Sequence, residues 1–354
     1  MAQQHLESGE PSGTGPHPGP QPGPHRGPAD GPRTAAPAGP EDGDILGAYL
    51  QGQATEFLRS LRRHGESGAA GGTAADAART LRRAARRISG TLHTFRPLLD
   101  AEWSDELRPE LAWLSGTLAQ EHACADRLLR LTDALHRLTS AASGTTGGGA
   151  LPQQAATAPA SATTLALGAA KAAALLDRQL TLARTRAHSA ALQSLGSPRF
   201  HAVADRVAVL ASEVPLAAGG VALPKLAGEA ESRLAEAVNA LHHTGGRLPT
   251  PYNPDADAPW HHVRLLLRLH RYAQEVLPGA DPAPVRLTAA AHALNTHRDA
   301  AEAAAAAAHA ARTPRIAPAT AYALGVLHAD QRHQVEAARN AFGKAWQRER
   351  VGTP

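Results

Sequence analysis

From Ile45 onward, apolar residues recur three and four positions apart through most of the chain, the period of helices that bury one face. The pattern predicts a first helix over 45–65 that ends in Arg59, Arg62 and Arg63, with Gly65 as its stop. The clearest case is 73–99. Thr73 and Asp76 have the spacing of a capping box, a hydroxyl and a carboxylate serving the first free N–H groups. Leu81, Ile88, Leu92, Phe95 and Leu99 then share one side. Arg79, Arg82, Arg83, Arg86, Arg87 and His93 lie on the other, within an arc of roughly 140°. Pro97 and Asp100 close this helix. A long helix over 104–139 follows, with Leu107, Leu111, Leu114, Leu118, Leu128 and Leu131 as its apolar stripe and Pro109 in its early turns. Two more are predicted over 162–194 and 198–213, split by Gly196-Ser197-Pro198.

After 223 the order starts again. A helix over 225–243 and a Gly/Pro/Asn/Asp loop (244–259) precede WHHVRLLLRLHRYAQEVL at 260–277. Here His261, Arg264, Arg268, Arg271 and Tyr272 fall within about 100° of arc, while Val263, Leu266, Leu267 and His270 oppose them. Helices over 283–312, containing His297, Arg298 and Asp299, and over 317–350 complete the chain. A basic-faced helix second in each half suggests a duplicated unit, at a period too long for a solenoid. The predicted fold is all-α: two bundle-like halves, 44–213 and 223–350, within one helical domain over 44–350. The first half is interrupted by a Gly/Ala/Thr-rich loop at about 141–162, low in complexity and read as flexible. Residues 1–43, rich in Pro, Gly and Ser without apolar periodicity, are predicted to be a disordered tail.

Composition agrees. Ala, Leu and Arg dominate, and the 354 residues include only four each of Trp, Tyr and Phe, which favours helix. The single cysteine, Cys124, excludes an internal disulfide and fits a reducing compartment. No apolar run reaches bilayer length and no secretory signal pattern opens the sequence, so a cytoplasmic location away from membranes is expected. Net charge is +4, but residues 1–43 hold Glu7, Glu10, Asp30, Glu41 and Asp42 against Arg26 and Arg33, which leaves +7 on the remainder.

That excess is clustered on two helix faces, and the cations are guanidinium groups. Guanidinium is planar, permanently charged and shaped to grip phosphate oxygens with two hydrogen bonds. Five such groups on one face repel one another, and an anion laid along them would relieve the repulsion. Nucleic acid offers similar charge, but aromatics for base stacking are scarce and no helix-turn-helix or RNP pattern is present. Histidines are plentiful, yet none forms H-x-x-x-H. His292/His297 and His328/His333 are five apart, and His122 and Cys124 point to different helical faces, so no metal site and no cofactor are expected. Glu229-Ala-Glu-Ser-Arg233 superficially looks like the E-x-E-x-K of triphosphate-tunnel enzymes, but it lies in a helical pattern rather than a barrel strand. No Walker loop, paired-carboxylate site or Ser/His/Asp set appears, and no catalytic residue is assigned.

Several stretches, in order, resemble the conserved histidine α-helical domain (CHAD) family. The family's first signature, H-x-x-R-x-x-x-R-R-x-R-S leading into T-F-R-P-L-L, is matched by Arg82, Arg86 and Arg87 and by HTFRPLL at 93–99. ELAWLSGTL (110–118) follows the family's E-L-x-W-L-x-x-x-L. WHHVRLLLRLHRY (260–272) is similar to the second signature, L-H-x-x-R-x-x-x-K-R-x-R-Y. LNTHRD (294–299) and LGVLH (324–328) are similar to L-G-x-H-Q-D and L-G-x-L-H. The resemblance spans nearly all of 45–350. It implies two four-helix repeats related by a pseudo-two-fold axis, with basic residues of both lining a groove that binds inorganic polyphosphate. It also implies a binding module rather than a catalyst, in some members associated with polyphosphate granules.

The departures bear on the site. Arg79 replaces the first namesake histidine, and Ser89 stands at an arginine position. His122-Ala123 replaces an Arg-Asp pair, Leu265 and Leu269 stand where cations are usual, and GEAESRLAEA is acidic where relatives are often basic. The expectation is an intact fold with an anion site weighted to the first half. That site would comprise Arg79, Arg82, Arg83, Arg86, Arg87 and His93, joined by His261, Arg264, Arg268, Arg271, Tyr272, His297 and Arg298. Arg63 and Arg96 fall off the main arc or on a neighbouring helix. The partner expected is inorganic polyphosphate or a similar polyanion. A scaffold of the same fold that has lost anion binding and serves protein–protein contact is the alternative, with nucleic acid a further one.

Overall fold

Each predicted amphipathic stretch forms a helix. The structure, a computed structural model, describes residues 40–66, 72–144, 160–217, 221–244, 253–279 and 285–347. Among them are nine α-helices: α1 (Pro40–Glu66), α2 (Gly72–Thr94), α3 (Ala101–Gly144), α4 (Ala160–Leu195), α5 (Pro198–Ser212), α6 (Leu223–Thr244), α7 (Ala258–Val276), α8 (Val285–Ala311) and α9 (Pro318–Gln347). The described residues contain no strand. One isolated antiparallel bridge joins Leu99 to Leu216 and ties the turn after α2 to the segment after α5.

Helix ends show where the sequence pattern stopped short. α1 starts at Pro40 rather than Ile45, so residues 40–43, assigned above to the tail, are helical. Glu41 and Asp42 in its first turn suit the positive end of a helix. Asp42 also accepts a hydrogen bond from the Leu223 N–H at 3.4 Å, which holds this turn to α6. α2 begins at Gly72, which puts Thr73 inside the helix rather than at its cap. α3 begins at Ala101, so Pro109 sits in its third turn. α5 matches expectation, with Pro198 in its first turn and Ser197 Oγ accepting from the Phe200 N–H at 3.2 Å. Most of the tail (1–39) and most of the two predicted loops (145–159 and 245–252) lie outside the described residues.

Three buried clusters hold the helices. The apolar face of α2 (Leu81, Ile88, Leu92), with Phe95 just after it, packs with Leu46, Leu50 and Phe57 of α1 and with Leu107, Leu111 and Leu114 of α3. Phe200, Val203, Val207 and Leu210 of α5, Leu223 and Leu226 of α6 and Val276 of α7 also join that cluster. The far part of α3 (Leu131, Leu135) joins α4, α8 and α9 in a second cluster rich in alanine. Small side chains let these helices approach closely: a Cβ at Gly168 of α4 would stand 2.1 Å from the Ala319 carbonyl oxygen of α9. A third cluster joins α6, α7, α8 and α9 around Leu234, Val238, Leu267, Leu294 and Phe342.

Beside it lies a buried ionic network. Asp257, in the 3₁₀ turn that leads into α7, accepts hydrogen bonds from Arg332 at 2.6 and 3.1 Å and from Arg339 at 2.7 Å. Burial alone would raise the Asp257 pKa, but hydrogen bonds from His297 and Arg332 outweigh it and hold the carboxyl well below its usual range. The network fixes the start of α7 against α8 and α9, and so sets the helix that carries half of the predicted cations.

Candidate anion site between α2 and α7

The two basic-faced helices meet where Gly90 faces Tyr272. A Cβ at Gly90 would lie 2.7 Å from Tyr272 Cδ2 and 3.3 Å from Leu269 Cδ2, so only glycine permits this approach without a shift. Counting back from that contact, arginines occur four and eight residues earlier on each helix: Arg86 and Arg82 on α2, Arg268 and Arg264 on α7. Four residues is about one turn, or 6 Å of rise, so each helix contributes a stacked pair.

The four groups act on one another. Burial lowers the Arg86 pKa to about 9, with Arg82, Arg268 and Arg264 adding repulsion. Burial lowers Arg264 to about 10, with Arg298 and Arg268 as the next causes. Arg82 is lowered by burial, then by Arg298 and Arg268. A guanidinium keeps its proton at neutral pH, so these shifts describe positive charge held together at a cost in a partly dehydrated place. Among the described residues none of the four has an ion-pair partner. Arg264 makes a neutral hydrogen bond to Asn295 at 2.8 Å, and Arg82 Nε is buried with no acceptor.

Around this centre the charges are compensated. Arg87 donates to Glu275 at 2.6 and 3.2 Å, Tyr49 donates to the same carboxylate at 3.0 Å, and the guanidinium lies 5.6 Å from the Tyr272 ring centre. The Glu275 hydrogen bond raises the Arg87 pKa, the reverse of its neighbours. On α8, Arg298 is bonded to Asp299 and lies 3.9 Å from Glu302. Glu302 also accepts from Arg127 of α3 at 2.7 Å.

Other predicted residues are placed away from the centre. Arg79 pairs with Asp76. Arg83 is exposed and donates to the Thr80 hydroxyl at 3.0 Å. His93, beyond the crossing, is bonded to Arg108 at 2.8 Å, and burial, then Arg108, lowers its pKa. Arg271 is half-buried, with Nε lacking a partner. His297 is 1% exposed and belongs to the interior: it stacks on Trp260 with ring centres 5.5 Å apart and lies 3.5 Å from Asp257. The reason is its place on α8, where Ala290, Ala293, Leu294, Ala300, Ala304 and Ala307 form the buried stripe that includes it. His261 meets His297 edge to face at 5.6 Å and stays exposed beside Arg264. Arg96, set aside above, is held by Asp105 at 2.6 Å.

Two residues near the site were not predicted. Arg127 and Arg130 of α3 reach Glu302 and Gln331 respectively. Their three-residue spacing puts them on one face of α3, which is the signal the sequence carries for them.

The chain matches the CHAD domain family over residues 52–308. Among solved structures it is similar to PptA from Streptomyces chartreusis, with 57% identity, 88% of this chain and 100% of that chain covered, and a TM-score of 0.71. It is also similar to the CHAD domain from the plant Ricinus communis, with 20% identity, 87% and 93% coverage and a TM-score of 0.49. No curated protein matches. Among the described residues, no helix is long and apolar enough to cross a membrane.

Proposed function

The chain belongs to the CHAD domain family, and from that premise we propose that it binds inorganic polyphosphate, or a closely similar polyanion, between α2 and α7. The observation that carries the proposal is the set of four mutually repelling guanidinium groups, Arg82, Arg86, Arg264 and Arg268, without carboxylate partners. Structural arginines are normally compensated, as Arg87, Arg127, Arg298 and Arg332 are here. Asp126 near Arg82 and Asp299 and Glu302 near Arg264 offset part of the repulsion, but four guanidinium groups without an ion pair in one place still lower stability unless an anion fills the gap. A linear phosphate polymer supplies charge at short, regular intervals and many equivalent registers, so local concentration adds to each contact. Because the cations come from both halves, we read the chain as two helical repeats, α1–α5 and α6–α9, joined across this site, and we place the site nearer the middle than the first half. CHAD domains are generally non-catalytic binding domains, and we assign this one the same role, without a cofactor, in the cytoplasm.

The test is a calorimetric titration of long-chain polyphosphate into the full chain at two salt concentrations, with double-stranded DNA in parallel. Binding that prefers polyphosphate and weakens steeply with salt supports the proposal. Equal binding of both polymers reduces the site to a generic basic surface. No binding at low salt leaves the protein-contact scaffold in its place.

A further inference from the structure

We infer that the site takes a compact condensed phosphate of about three to four charges, one tripolyphosphate-sized unit, and holds a longer chain through one such unit at a time. The inference rests on the polyanion reading above and concerns what limits the ligand's footprint.

The limit is set by carboxylates. Charged arginines continue past the four central ones on both sides, which would suit an extended track. The continuations toward Glu275, toward α8 and at Arg79 are neutralised, while Arg83 donates to the Thr80 hydroxyl, Arg130 to Gln331, and Arg271 Nε has no acceptor. Beyond Arg86 on α2, Arg87 is taken by Glu275, whose two oxygens are both used by Arg87 and one also by Tyr49. Toward α8, Arg298 is taken by Asp299 and approached by Glu302. Past it, Arg127 is taken by Glu302. Arg79, further along α2, is taken by Asp76. A chain that ran beyond the centre would meet Glu275 at one side and Asp299 and Glu302 at the other. Like charges in a partly dehydrated site repel strongly, so each further phosphate would have to displace a carboxylate from its arginine. The favourable region is therefore the four central guanidinium groups, about two helical turns long on each of two helices. Arg298 acts on both Arg82 and Arg264, which places it at the border of the central four.

The experiment compares orthophosphate, tripolyphosphate and long-chain polyphosphate on the full chain across a salt series. The expected result is the same slope of log K against log salt for tripolyphosphate and the long chain, about −3 for four contacts. Orthophosphate should bind at least 100-fold more weakly. Glu302→Gln, at a half-exposed position, should release Arg127, steepen the long-chain slope by about one and raise long-chain affinity about tenfold, with a smaller gain for tripolyphosphate because Glu302 also acts on Arg264. Asp299→Asn should shift the long-chain slope in the same direction and serves if Glu302→Gln fails to fold, as judged by its circular dichroism melt. A long-chain slope of about −6 or steeper, with tripolyphosphate 100-fold weaker, overturns the inference and leaves polyphosphate binding standing. Unchanged slopes in both variants overturn the role given to the carboxylates. Absence of binding by either phosphate polymer at low salt overturns the polyanion reading and the footprint with it.

Discussion

Replacing Arg86 with methionine should make the unliganded protein more stable while weakening its hold on polyphosphate. Arg86 lies one turn from the Gly90–Tyr272 contact, has no ion-pair partner, and has its pKa lowered to about 9 by burial and by Arg82, Arg268 and Arg264. Each pKa unit corresponds to about 1.4 kcal/mol, so the ceiling on this penalty is about 5 kcal/mol. The sign follows from linkage. A base whose pKa is lower in the folded state binds fewer protons there, so its penalty is fully present below the folded value and is relieved as pH rises toward the unfolded one. At pH 7 the whole penalty applies. The side chain keeps some solvent contact, and screening reduces the realised figure to about 1–2 kcal/mol. Methionine keeps the apolar stem in place, so packing is largely retained.

In a melt followed by circular dichroism, Arg86→Met should unfold about 2–6 °C higher than the parent without ligand. Saturating polyphosphate should reverse the order, because ligand at 100 times its dissociation constant adds about 2.7 kcal/mol to a protein that binds it. The variant should bind about 10–100-fold more weakly, the worth of one charged, two-pronged contact. A lower melting temperature without ligand would refute the reasoning, since Arg86 would then be a stabilising residue. Higher stability with undiminished binding would refute its place in the site.

Three further outcomes are expected. Asp257→Asn should cost about 3 kcal/mol in urea unfolding, because Arg332 and Arg339 would both lose the buried carboxylate they share, although Arg339 keeps Glu336. The carboxyl is depressed, so its contribution is complete above the unfolded value near 4 and is lost as pH falls through the lower folded value. The variant's deficit should thus be constant from pH 5 to 8 and shrink only in strong acid. Gly90→Val should force Tyr272 and α7 away from α2, costing about 1–3 kcal/mol in a thermal melt and at least tenfold in polyphosphate affinity. His261 has its pKa lowered by partial burial, then by His297, so it gains charge only below the ordinary imidazole value. Polyphosphate affinity, measured by calorimetry, should rise as pH drops below that value, and His261→Gln should flatten the rise.

The helices were legible because their cause is local. The apolar residues of 79–99 and 260–277 repeat at the helical period, and the structure buries Leu81, Ile88, Leu92, Val263 and Leu267 as that period requires. The convergence of two basic faces was legible only through the resemblance of the ordered motifs to a family. What each cation does was not. Periodicity assigns a residue to a face but does not say which carboxylate stands opposite, and the decisive carboxylates are distant in sequence. Glu275 is 188 residues from Arg87, and Glu302 is 175 from Arg127. Arg79 is the exception, since Asp76 lies one turn away and its pairing could have been read directly. His297 shows a different gap. Its motif pointed to the site, while the alanine stripe around it on α8 pointed inward, where Arg339 donates to the imidazole at 3.4 Å and Asp257 lies 3.5 Å from it. Pro40 could not be recognised as a helix start because Glu41 and Asp42 carry no apolar periodicity, and the contact that anchors them, Asp42 to Leu223, spans 181 residues.

The most direct test is to remove the cations of one helix at a time and titrate long-chain polyphosphate at low salt. One variant carries Arg82→Ala and Arg86→Ala, the other Arg264→Ala and Arg268→Ala. A site shared between α2 and α7 predicts that each pair costs at least 100-fold in affinity and flattens the salt slope by about half. Loss from the α2 pair alone, with the α7 pair behaving like the parent, would contradict a site built from both helices.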